Sequence, residues 1–242
     1  MPHQHGAWAM LAVPLLIGVA ASRPSPWQLL LAAAAVTGYL ASATGQTWLR
    51  SRRRETLTPP LAVYLVAFGI LGLVLVVARP ALLAGLVVLV PTTALITAGA
   101  RPGTRRDLAN SLAQAAQALF LVPGAALVAD AFEPGRIAIA TAVAAAYLAG
   151  TVLVVRSMLR ERDSAGFARL SAGYHAILVL PAALLGPAWV ALAVGLAARA
   201  SVLPVIGRRR AAAGRPLKPI HVGMVELVVA VAVVVVAFLA AP

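Results

Sequence analysis

The sequence predicts an all-α fold, a polytopic transmembrane helical bundle of about nine helices that forms one domain over residues 1–242. Three observations predict it. The chain is 62% hydrophobic and 11% charged, less than half the charged share of a soluble domain, and its mean hydropathy is +0.93. Its apolar residues come in continuous runs of about 20, the length a helix needs to cross some 30 Å of hydrocarbon at about 1.5 Å per residue. They lack the period-two alternation of barrel strands. Finally, the basic residues gather in alternate gaps between the runs, as they do in cytoplasmic loops.

The runs cover residues 6–22, 27–48, 59–78, 81–99, 108–129, 135–157, 168–185, 187–206 and 220–240. The first ends in small residues, as a signal peptide does. Its leading stretch carries no lysine or arginine, so it is read as the first span. "ARP" divides the third run from the fourth, and "GPAW" the seventh from the eighth. Both breaks hold a proline, which removes a backbone donor and crowds the preceding turn. Pro14, Pro91, Pro123, Pro181 and Pro204 fall inside runs and predict kinks. All four tryptophans (Trp8, Trp27, Trp48, Trp189) fall at segment ends, where an interfacial belt places them.

Charge sets the expected orientation. The gaps after the second, fourth, sixth and eighth segments hold 16 Lys and Arg residues, and the opposite gaps only Arg23, Arg79 and Arg136. This places the N-terminus in the cytoplasm and the C-terminus outside, in a multi-pass protein of the plasma membrane. The net charge of +13 is therefore read as a topology signal, and no nucleic-acid partner is expected. With no cysteine, disulfides, iron–sulfur clusters and thiolate metal sites are excluded.

Polar side chains inside the spans carry the functional signal, because burying them in hydrocarbon is costly. Glu226 sits in "KPIHVGMVELVV", nearly two turns into the ninth segment. His175 lies about two turns into the seventh, and Arg199 about two turns short of the end of the eighth. Asn110, Gln114 and Gln117 share one face of the fifth by their spacing of four and three. Gln46 and Arg156 end the second and sixth segments, Arg160 follows, and His5 and His221 begin the first and ninth. Every one of these falls in the half of the bundle facing the arginine-rich gaps. The expectation is a polar pocket opening to the cytoplasmic leaflet. Glu226 and His175 are its candidate catalytic groups, and His5, Gln46, Asn110, Gln114, Arg156, Arg160, Arg199 and His221 its candidate ligand-binding groups. Simpler roles compete: Arg156 can snorkel to the interface, His175 can bond across helices, and Glu226 can form a structural ion pair with Arg199.

The stretches "PHQHGAWAMLAVPLLIGV", "RRDLANSLAQAAQAL", "VVRSMLRERDSAGFARLSAGYH" and "RPLKPIHVGMVELV" resemble the YwiC-like family of bacterial membrane proteins over nearly the whole chain. HGAW at residues 5–8 and H-V-G-x-x-E at 221–226 are the most specific pieces. More distantly, nine helices, an inside start and basic loops after helices 2, 4 and 6 resemble the UbiA-type intramembrane prenyltransferase superfamily. That resemblance implies a UbiA-like topology and an isoprenoid diphosphate held through Mg²⁺ on two Asp-rich motifs. Here the first equivalent region, "ASATGQTWLRSRRRE", offers only Glu55. The second, "RERDSAGFAR", has Glu161 and Asp163 without the D-x-x-x-D spacing. Magnesium on those motifs is therefore not expected, although the neighbouring arginines could hold an anion directly.

The leading expectation is a membrane protein that binds a lipid, isoprenoid or other amphiphile in this pocket, with its catalytic status and oligomeric state left open. The alternatives are a proton-coupled small-molecule transporter, for which the outer half supplies few relay groups, and an accessory subunit of a respiratory or assembly complex. A haem protein using His175 with His5 or His221 fits four histidines poorly.

Overall fold

The computed structural model describes residues 5–100, 108–215 and 217–240, with side chains from Trp8 onward. Among the described residues every regular element is helical: α1 (His5–Ala21), α2 (Pro26–Arg50), α3 (Thr58–Ala78), α4 (Leu86–Ala98), α5 (Leu108–Leu119), α6 (Leu121–Val128), α7 (Pro134–Leu159), α8 (Ala165–Ile177), α9 (Val179–Ala182), α10 (Pro187–Ala212) and α11 (Pro219–Leu239). Short 3₁₀ turns, Glu55–Leu57 and Pro80–Gly85, lead into α3 and α4.

All nine predicted segments are helical. The fifth is shared by α5 and α6, and the seventh by α8 and α9. Each break stands three residues before a proline, Phe120 before Pro123 and Leu178 before Pro181, where the ring crowds the turn behind it and leaves a carbonyl without its donor. Pro14, Pro91 and Pro204 instead lie within continuous helices. Among the described residues, seven helical stretches are long and apolar enough to cross a membrane; Trp8–Ala21 is a shorter apolar helix. The chain is a multi-pass membrane protein. Helix ends overrun the apolar windows: α10 continues to Ala212 and takes in Arg208, Arg209 and Arg210. Backbone hydrogen bonding does not require apolar side chains, and cations at a helix C-terminus complement its dipole.

The packing divides into two compact units, one on Pro14–Ala142 and one on the chain from Val143 onward with α1 up to Val13. In the first, α2 packs against α3 and α6, and α4 against α5. Gly18 lets α1 lie directly on α6: a Cβ there would meet the Val122 carbonyl oxygen at 2.7 Å. At one end of this unit three arginines close helix C-termini. Arg23 Nε donates to the Ala129 carbonyl at 3.0 Å, Arg136 Nη2 to Ala20 at 3.2 Å, and Arg79 Nε and Nη1 to Val128 and Ala78 at 3.4 and 3.1 Å. Arg79 also pairs with Asp130 at 2.6 Å and lies over the Trp27 ring.

In the second unit α10 packs against α8, α9 and α11. Trp189 lies at a helix end, as expected, but faces inward. It is buried and donates Nε1–H to the Ala240 carbonyl at 2.8 Å, because the end of α11 leaves carbonyls that an indole can cap. Trp27 and Trp48 remain half-exposed beside Arg79 and Arg53.

Candidate functional site

The second unit brings three charged or titratable side chains together from three helices. On α11 the buried positions are Val222, Glu226, Ala230, Val233 and Ala237, steps of four and three that define one helical face. Glu226 occupies that face, and both it and His175 are only 2% exposed, so neither faces lipid. Arg199, buried on α10, reaches across. Its Nη1 donates to both carboxylate oxygens of Glu226, at 3.0 and 2.9 Å. The partner of the carboxylate is thus Arg199, as in the expected ion pair.

His175 completes the group from α8. Its Nδ1 lies 2.7 Å from the Ser171 carbonyl oxygen and its Nε2 3.4 Å from Arg199 Nη2. A carbonyl only accepts and a guanidinium only donates. The ring is therefore the neutral tautomer, protonated on Nδ1 and accepting at Nε2. Gly150 on α7 makes room for it: a Cβ at Gly150 would stand 2.7 Å from His175 Nε2. Tyr174 packs edge-on to the same ring, with centroids 5.4 Å apart, and donates its hydroxyl to Ala146 at 3.1 Å.

Three hydroxyl residues that sequence reasoning missed lie on α8 with His175 or on the adjoining α7. Tyr147 and Thr151, one turn apart on α7, turn toward Glu226. The Thr151 hydroxyl approaches both the tyrosine and the carboxylate without the geometry of a full hydrogen bond. Ser171, fully buried, stands one turn before His175. The Tyr147, Thr151 and Ser171 hydroxyls and Arg199 Nε are all buried with unmet hydrogen-bonding capacity. Their i, i+4 spacing, Tyr147 with Thr151 and Ser171 with His175, is visible in the sequence but does not set them apart from hydroxyls that bond their own backbone.

The other candidates lie elsewhere. Gln114 donates to Gln46 at 3.4 Å and Gln117 to Thr93 at 2.6 Å, bonds that join helices within the first unit. Asn110 is buried there beside Gly99. In the second unit, Arg156 pairs with Glu161 at 3.2 Å and lies 6.0 Å from the Phe167 ring. Arg160 is exposed on the turn that follows. His221 accepts the Lys218 backbone N–H at 3.3 Å and so caps the start of α11. The side chain of His5 lies outside the described residues. Between the triad and the arginine-rich end of this unit stands an apolar layer of Val154, Met158, Ala200 and Val222, flanked by Leu203 and Leu217.

The YwiC-like protein family matches residues 1–126. "Uncharacterized protein YwiC" of Bacillus subtilis (strain 168) is 29% identical over 196 residues, 80% of this chain and 81% of that protein. No solved structure matches the chain. The family match spans just over half the sequence, and on that ground the chain belongs to the YwiC-like protein family.

Proposed function

We propose that this protein binds the polar head of a membrane-soluble amphiphile, a lipid or isoprenoid-type molecule, at Glu226, Arg199 and His175. One observation carries the reading. A structural ion pair needs only its two partners, yet here Tyr147, Thr151, Ser171 and His175 are also turned inward, and four buried polar atoms still have capacity to bond. Buried polar groups are normally matched, since each unmet one costs about 1–3 kcal/mol. Space for a tail is offered by the helices that carry His175 and Arg199. A recess of about 350 Å³ runs between α8 and α10, lined in part by Ala168, Ala172, Ala200 and Pro204. Ala172 and Ala200 directly follow Ser171 and Arg199 in the chain. In this reading Glu226 is counter-ion and proton acceptor, His175 an acceptor for the head or for Arg199, and Arg199 the donor that orders both. The site lies in the cytoplasmic half of a plasma-membrane protein whose N-terminus is cytoplasmic. Nothing runs through magnesium: Arg156 engages Glu161, and Asp163 stands exposed beside Arg162.

The test is lipid analysis by mass spectrometry of the full chain extracted in native nanodiscs. A stoichiometric amphiphile is expected with the wild type and its loss with Glu226→Gln. An identical lipid profile for the two, with the variant folded, would remove the reading. Proton-coupled transport is the second reading, favoured by the apolar layer between the triad and one end of the unit. Proton-driven flux in liposomes, abolished by the same substitution, would establish it instead.

A further inference from the structure

The bonding within the triad also constrains which head it can accept. We infer that the site takes an electrically neutral head, a hydroxyl or carbonyl oxygen, and rejects phosphate and ammonium heads. This rests on the proposed amphiphile site and narrows it. The charges at the site already balance. Arg199 meets both oxygens of Glu226, and His175 is neutral by its bonding pattern. The arginines of the nearby end stand beyond the apolar layer of Val154, Met158, Ala200 and Val222.

An anionic head would enter a place whose one cation is engaged, and a cationic head one whose one carboxylate is engaged. Either brings an uncompensated charge into surroundings that solvate it poorly. The remaining capacity has the opposite character. Arg199 Nε offers a donor, and the Tyr147, Thr151 and Ser171 hydroxyls can each donate or accept. That set matches an uncharged oxygen, which accepts from Nε–H and exchanges bonds with the hydroxyls. A phosphate head finds better company at Arg169 and Arg208, which line the recess between α8 and α10.

The experiment uses the full chain in phosphatidylcholine nanodiscs and three photoreactive probes. They share a sixteen-carbon tail with a diazirine beside the head and differ only in the head: hydroxyl, phosphate monoester or trimethylammonium. Labelled residues are mapped by mass spectrometry, with unlabelled competitor in excess. The reporter is residues 147–151 of α7, which do not line the recess. Competable labelling there by the hydroxyl probe is expected to exceed that of either charged probe by about tenfold, some 1.4 kcal/mol of discrimination. It should fall to background in Tyr147→Phe with Ser171→Ala, and also in Arg199→Met with Glu226→Leu, which removes both charges together and so strands neither. Equal or stronger competable labelling of 147–151 by the phosphate or ammonium probe would overturn neutrality and leave the amphiphile site standing. Absence of competable labelling there by any probe would overturn both.

Discussion

At the scale of single residues, Gly150 is the position where the site depends most on an absent atom. A Cβ there would overlap His175 Nε2 at 2.7 Å and press on Cε1 at 3.2 Å. The ring cannot simply swing away, because Nδ1 is tied to the Ser171 carbonyl and Tyr174 flanks its face. Gly150→Ala is therefore expected to destabilise the protein by about 1–3 kcal/mol through overpacking. It should also break the contact between His175 and Arg199. In a His175→Ala background the same substitution should cost almost nothing, because the clashing ring is gone. A double-mutant cycle on denaturation in mixed micelles measures this. Equal costs in both backgrounds would show that His175 does not occupy the space beside Gly150. This scale also marks what could be read from sequence. Glu226, Arg199 and His175 stood out because an ionisable group in an apolar run is costly and needs a partner. Tyr147, Thr151 and Ser171 did not. A hydroxyl in a membrane helix commonly bonds its own backbone one turn back, as Thr37, Thr92 and Ser201 do here, so a buried hydroxyl turned toward a site reads no differently from one that is locally satisfied.

At the scale of elements, the arginines of the sparse set prove to be helix caps, a role that a count of loop charges cannot reveal. Arg79 is the clearest. It donates to the terminal carbonyls of α3 and α6, pairs with Asp130 and covers Trp27. Asp130, with φ of +50°, turns the chain out of α6 at that point. The last four carbonyls of a helix have no partners within it, and in an apolar bundle few waters can serve. Arg79→Gln is expected to lower stability by about 1–2 kcal/mol and to speed amide exchange at the end of α6. Arg54→Gln, on an exposed turn, should stay within about 0.5 kcal/mol of the wild type. If the two substitutions are equivalent by melting temperature and exchange, Arg79 is a topology signal and nothing more. The breaks at Phe120 and Leu178 belong to the same scale. The prolines that cause them were visible in the sequence. Pro14, Pro91 and Pro204 were equally visible and leave their helices continuous, so a proline in an apolar run does not by itself decide whether the helix breaks.

At the scale of the whole molecule, the same arginines bear on orientation. The set of 16 basic residues and the set of three differ in purpose as well as number: Arg23, Arg79 and Arg136 are engaged in capping. Discounting them sharpens the asymmetry on which the expectation of a cytoplasmic N-terminus rests. The chain contains no cysteine, so single cysteines can report on side with no native background. Ser51→Cys lies on the turn after α2, and Ala131→Cys in the gap between α6 and α7, at opposite ends of helices of the first unit. In intact cells a membrane-impermeant maleimide is expected to label residue 131 and spare residue 51, and permeabilised cells should expose both. The reverse pattern would invert the protein. It would move Glu226, about 10 Å from the start of α11 at 1.5 Å per residue, to the outer half of the bilayer, so that the amphiphile would have to be drawn from the opposite leaflet.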